Sequence, residues 1–204
     1  MYGAEFWKKV AKKEAICLLD VPYHPQTDDV SCGPACLKMI YDFYKINSRI
    51  FPGPTHNGTP GKLMIECIKQ SGLNPGISPH RVSDRDLKDV LRLIDDGNPV
   101  IMAFADRSTE TGSHYALLVG YSSKELFFHD PFLRPYFPRP RRSFREKWLK
   151  EGRWYLGASR PTDPKAAVRL FNDAEAVLKG PAPLAPPDAA IGRRAITPHL
   201  DEVQ

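Results

Sequence analysis

Positions 32–46 read CGPACLKMIYDFYKI, a run that is apolar on almost every face. A helix of that kind buries itself at the centre of a fold, with other layers packed around it. Ser31 stands where an N-cap belongs, and Pro34 is tolerated because the first turn has no donor to lose. Cys32 therefore sits at the tip of a core helix. Such a tip carries the positive end of the helix dipole and presents unpaired backbone N–H groups. Both features suit a reactive thiol: the dipole favours thiolate, and the N–H groups can receive an oxyanion. Gln26, six residues upstream in "QTDDVSC", can add a side-chain N–H if the loop between folds it back.

The rest of the chain supplies a sheet for this helix. Residues 1–15 read as a short amphipathic helix, and "LLDVPYHP" as an extended entry closed by prolines. The loop "PGPTHNGTPG" precedes a helix "GKLMIECIKQS" stopped by Gly72, and a further helix begins at Ser83. "PVIMAFA", "SHYALLVGY" and "ELFFHD" read as strands, the last two joined by a turn at Ser122–Lys124. "SFREKWLKEG" carries a Ser143–Glu146 capping box, and "RWYLGAS" reads as a closing strand. The expected class is α+β, a buried N-terminal helix packed on an antiparallel sheet. Residues 1–160 form one domain. Residues 161–204 form an appendage: a helix at about 163–179 with stripe Ala167, Val168, Phe171, Ala174 and Leu178, then a Pro/Ala-rich tail read as disordered.

Composition excludes several classes. No stretch reaches the ~18 uninterrupted apolar residues of a spanning helix, so no membrane partner is expected. Lysines and Glu14 interrupt the N-terminus, which lacks a leader's apolar centre, and the expected location is cytoplasmic. Cys17, Cys32, Cys36 and Cys67 form neither a CxxC pair nor a disulfide spacing and read as reduced thiols, with Cys17 and Cys67 as buried small hydrophobes. The net charge of +5 is concentrated at 134–160, where nine Arg or Lys face two glutamates. Interleaved with Tyr136, Phe137 and Trp148, that segment could suit nucleic acid or an acidic partner, but a solvated basic face is the favoured reading. Nucleic acid is not expected, and a protein partner through this segment or the C-terminal helix stays open. No cofactor and no metal is expected. Cys32 and Cys36 at i, i+4 with His114 would be three zinc ligands, but without a local pair to support them.

A thiol nucleophile needs a base, and His114 is the best placed of six histidines. It opens "SHYALLVGY", while Asp130 closes "ELFFHDP". In an antiparallel hairpin the start of one strand meets the end of the next. Loops centred on 122 or 123 pair His114 with 130 or 132, and either register puts His114 and Asp130 on one face. A register of odd sum would put them on opposite faces. On one face, Asp130 orients the imidazole and stabilises its protonated form. His24 and His129 adjoin the site in sequence, with His129 on the other strand face; His56 rims a loop, and His80 and His199 carry no signal.

"PYHPQTDDVSCGPACLKMI", followed by "GSHYALLVGY" and "FFHDPF", resembles the C39-like cysteine peptidase family of the papain-like fold. The likeness runs from about Val21 to Pro131, with a weaker continuation to about 160. It implies Cys32 as nucleophile, His114 as general base and acid, Asp130 as orienting residue and Gln26 as oxyanion donor. The implied activity is hydrolysis of a peptide or amide bond in a peptide or protein substrate. Acyl transfer to an amine and non-cleaving peptide binding remain as alternatives. Some members process double-glycine peptides and are fused to ABC transporters; neither a transmembrane region nor a nucleotide-binding motif is present here.

Overall fold

The computed structural model describes residues 3–52, 58–77, 87–106 and 112–161. In chain order these hold α1 (Ala4–Lys12), β1 (Cys17–Leu18), α2 (Cys32–Phe43), α3 (Gly61–Gln70), β2 (Asn74–Ile77) and α4 (Leu87–Asp95). They continue with β3 (Val100–Ala105), β4 (Ser113–Tyr121), β5 (Glu125–Asp130), β6 (Arg134–Pro140), α5 (Arg141–Lys150) and β7 (Tyr155–Ser159). The start expected at Ser83, the loop around His56 and the helix expected at 163–179 lie outside the described residues.

The seven strands form one antiparallel sheet in the order β2-β7-β3-β4-β5-β6, with β1 paired to β4 off that path. The central strands are buried on both faces, which is why they read as near-continuous apolar runs. Ile101, Leu117, Val119, Phe127 and Leu156 pack against α2 and α3, where Cys36, Leu37, Met39, Ile40 and Tyr41 are fully buried. Val100, Met102, Phe104, Leu118 and Phe128 face the other way, onto α4 and onto Phe144 and Trp148 of α5. The helix with no polar face is thus central, with its tip at the end of the sheet where β4 begins.

Three strands were not legible in the sequence. Both β2 and β6 carry prolines, at 75 and at 135, 138 and 140, and both are the outermost strands of the sheet path. An edge strand leaves one side of its backbone unpaired, so a missing N–H there costs nothing. β1 has only two residues. The capping box is also corrected: the N-cap of α5 is Pro140, three residues before Ser143, and Ser143 Oγ donates to Pro140 O. Ser143 is therefore inside the helix, and no side chain caps it. Cys17, expected to be buried, is half-buried, whereas Cys67 is buried.

His129 ties the entry segment to the sheet. Its Nε2–H donates to Val21 O at 2.8 Å, and its Nδ1 accepts from Tyr136 N at 3.2 Å. The second bond demands the neutral imidazole, since a protonated Nδ1 could not accept, and burial lowers its pKa from 6.5 to about 4. A group held neutral in this way supports the fold above pH 6.5 and loses that support as pH falls through about 4. The loss amounts to roughly 3 kcal/mol. His129→Gln keeps a donor and an acceptor but cannot titrate. Urea midpoints measured across this window should therefore fall less steeply with acid in the variant than in the parent; equal slopes would refute the assignment.

Candidate active site

Cys32 is the first residue of α2 and only 7% exposed. Ser31 occupies the N-cap position, but its hydroxyl accepts from Thr27 N at 3.1 Å and Asp28 N at 3.2 Å. It thus closes the 27–31 loop and leaves the helix end without a side-chain cap. The helix tip packs closely on the segment leading into α3 because residue 33 is glycine: a Cβ there would lie 2.8 Å from Thr59 Cβ. Beside Cys32 opens a recess of ≈170 Å³, walled by Asp29 and Val30, by Gly58 and Thr59, and by Ser113 and Tyr115.

His114 is 3% exposed, opposite Phe104 on β3, whose ring meets the imidazole edge-on at 5.4 Å. Its Nε2 lies 2.9 Å from Asp130 Oδ1, which leaves Nδ1 for the hydrogen bond with Cys32. Burial pushes the imidazole down, but hydrogen bonds to Asp130 and Cys32, together with their charges, outweigh it and raise its pKa to about 9. The imidazolium therefore persists through neutrality.

Asp130 has no exposure at all. Its Oδ1 accepts from His114 and from the backbone N–H groups of Phe132 (3.1 Å) and Leu133 (3.3 Å), and its Oδ2 from Arg139 Nη2 at 2.7 Å. Burial raises its pKa, yet His114 and Arg139 hold it below the usual carboxylate value. Arg139 lies over the rings of Phe104 (4.6 Å) and Phe137 (5.1 Å). Sequence reasoning placed it in a solvated basic face. Its signal was hidden because β6 was not recognised as a strand. As a third strand of the meander, β6 opposes Arg139 to Leu126 and aims its guanidinium along the Asp130 face.

The pairing of His114 with Asp130 depends on a β-bulge. Beside the turn, Tyr121 opposes Leu126 and Gly120 opposes Phe127, the odd register that was expected to separate the two residues. Carried on unchanged, it would set Leu117 against Asp130 and send His114 to the far face. Val119 is an extra residue in β4, and beyond it Leu118 opposes Phe128 and Leu117 opposes His129. The bulge restores the even register, with Asp130 diagonal to His114. It is held from outside: Leu19 N donates to Val119 O at 2.7 Å, and Leu18 pairs with Gly120. Only glycine fits there, since a Cβ would lie 2.6 Å from Cys17 O.

Gln26 is tied to the same corner through its backbone, Gln26 N to Pro131 O at 3.0 Å. One hydrogen of its Nε2 goes to Asp28 O at 2.8 Å, and its Oε1 is buried without a partner. Tyr23 Oη donates to Asp130 O at 3.1 Å. His24 pairs instead with Asp42 on the outer side of α2. Cys36 is fully buried, and burial, with the charges of Cys32 and Asp130, pushes its thiol well above the usual range. All four cysteines are free. Among the described residues no group of three His, Cys, Asp or Glu could hold a metal ion, and no helix is long and apolar enough to cross a membrane.

The Peptidase_C39 like family model matches residues 18–155, a span that includes Cys32, His114 and Asp130. The chain belongs to this family. No curated protein matches it in sequence. Among solved structures, a candidate C39-like peptidase from Bacillus anthracis superposes with a TM-score of 0.57 at 14% identity, covering 74% of this chain and 100% of that one. The peptidase domain of Streptococcus ComA, a bifunctional ABC transporter involved in a quorum sensing pathway, gives 0.53 at 19%, covering 68% and 98%. A double glycine motif protease from an AMS/PCAT transporter, in complex with the leader peptide, gives 0.53 at 18%, covering 70% and 92%. At these identities the structural likeness is one of fold, and that fold is papain-like.

Removing the carboxylate isolates its effect on the imidazole. Asp130→Asn should drop the His114 pKa well below about 9, because burial then acts with less opposition. An NMR titration of the ring carbons reads this directly, and an unchanged value would refute the role given to Asp130.

Proposed function

We propose that this chain is a cysteine peptidase or amidase in which Cys32, His114 and Asp130 act as a catalytic triad. The observation that carries the reading is the buried imidazole of His114, bonded to Asp130 on one side and Cys32 on the other. His114 already holds the proton as the imidazolium, and the Cys32 sulfur attacks the substrate carbonyl carbon as the thiolate beside it. The oxyanion that forms is received by the backbone N–H of Cys32 at the uncapped tip of α2 and by the second Nε2 hydrogen of Gln26. Collapse breaks the C–N bond as His114 passes its proton to the leaving amine. Water then loses a proton to His114 and attacks the thioester carbonyl, and Cys32 leaves as the thiolate. No step needs a metal or organic cofactor.

Asp130 keeps Nε2–H engaged so that Nδ1 faces the thiol, the positioning task of a third triad member. The substrate is taken to be a peptide or protein, a class supported by the leader-peptide complex of one structural relative. The unit of catalysis is residues 1–160, with 161–204 as an appendage. Four free thiols, one of them the nucleophile, suit a reducing compartment such as the cytoplasm.

Exposure to a diverse peptide library, with products read by mass spectrometry, tests the reading. New termini should appear with the parent and vanish with Cys32→Ala. Since the imidazolium is the form that protonates the leaving amine, turnover should decline as pH rises through about 9. Product that forms only with an added amine would identify an acyltransferase instead, and no turnover with either would overturn the enzyme reading.

A further inference from the structure

The basic segment flagged in the sequence divides into two sets once folded. Arg139 is consumed by Asp130, and Arg134 lies 3.6 Å over the ring of Trp7. Arg142 and Arg145 have no such use, Arg141 lies 5.1 Å over the Tyr121 ring, and among the described residues none of the three forms an ion pair. They line a recess of ≈490 Å³ between α4 and α5, which Lys88 and Arg153 also border. Its remaining walls are Glu146 and three leucines, Leu87 and Leu91 from α4 and Leu149, 52% exposed, from α5. A second recess of ≈540 Å³ shares Lys88, Leu91 and Arg141 and carries the groove on toward Ile16, which is 66% exposed.

Two features of these arginines point to a missing anion. Arg141 and Arg142 open α5, with Arg145 one turn on, at the positive end of the helix dipole, which has no acidic residue in its first turn and no side-chain cap. Cations there oppose the dipole, whereas carboxylates would complement it. In addition, Arg141 Nε is buried without a partner while its guanidinium lies 5.1 Å over Tyr121. Among the described residues two carboxylates line the groove. Glu146 lines the first recess, and Asp95 in the second is engaged by the Tyr121 hydroxyl at 2.6 Å.

The leucines select among anions. Single-stranded nucleic acid needs aromatic faces for its bases, and among the described residues none lines the first recess. A groove with an apolar floor and a guanidinium rim instead matches a peptide that alternates leucine-like anchors with carboxylates. We propose that the groove between α4 and α5 docks an acidic, apolar-anchored peptide segment of a partner protein. Its apolar side chains lie on Leu87, Leu91 and Leu149 and its carboxylates on Arg141, Arg142 and Arg145. The site shares no residue with the Cys32 corner, and the proposal stands whether or not Cys32 cleaves.

The probe is a fluorescein-labelled peptide EELLEELLEELLEE, titrated with the full chain by fluorescence anisotropy at about 50 mM salt, where surface charges are weakly screened. Saturable binding is expected, weakened about tenfold or more by the double variant Arg142→Glu, Arg145→Glu. Lys147→Glu, on α5 but outside the groove, should leave affinity unchanged. An all-glutamate peptide should bind more weakly than the probe. Four results would overturn the proposal. One is no saturation below about 1 mM, and another is equal affinity of parent and double variant. A third is tighter binding of oligothymidylate at the same arginines. The fourth is tighter probe binding after Asp173→Lys, Glu175→Lys, which would show the chain's own carboxy-terminal segment to be the occupant.

Discussion

A carboxylate with no solvent contact is the constraint on which this corner of the molecule depends. Burying an ion costs several kcal/mol unless its lone pairs are satisfied and its charge is matched. Asp130 meets both conditions with four donors: His114, two backbone N–H groups of its own turn, and Arg139. The four donors come from three structural decisions. The turn at 131–133 supplies the N–H groups, the proline-rich edge strand supplies the guanidinium, and the bulge in β4 supplies the imidazole. The charge of Asp130 then sustains the His114 imidazolium beside Cys32. Loss of any donor would leave a buried charge short of partners, so the network couples fold stability to the state of the proposed catalytic base.

Much of this was legible from periodicity. The all-apolar run at 32–46 marked a central helix, and β3, β4, β5 and the closing β7 stood out as buried runs. Less visible were elements stabilised by position in the sheet. Pro135, Pro138 and Pro140 disqualify a central strand but not an edge, and without the sheet order the edge could not be identified. Arg139 was lost with its strand.

The bulge shows a different limit. His114 and Asp130 can be matched from the sequence only by assuming an unbroken ladder, and the turn chosen by Ser122 and Glu125 sets the wrong parity. Val119 corrects it through a contact with Leu19 that is a hundred residues away in the chain. Nothing local in "SHYALLVGY" announces an extra residue, although Gly120 inside a strand is the kind of mark a bulge leaves. For the proposed site, residue types and order pointed to Cys32, His114, Asp130 and Gln26 as candidates. The direction in which the Gln26 amide faces, and the emptiness of the helix cap left by Ser31, required the fold.

Membership of the Peptidase_C39 like family and the folded corner lead to one chemical expectation, a thiol made reactive by its setting while its neighbour one turn down is not. The most direct measurement is site-resolved alkylation with iodoacetamide at mildly acidic pH, with each cysteine followed by mass spectrometry. Cys32 should be modified far faster than Cys36 and Cys67, and His114→Ala should remove that advantage. Equal and slow modification of Cys32 and the buried thiols, unaltered by the histidine substitution, would contradict the account.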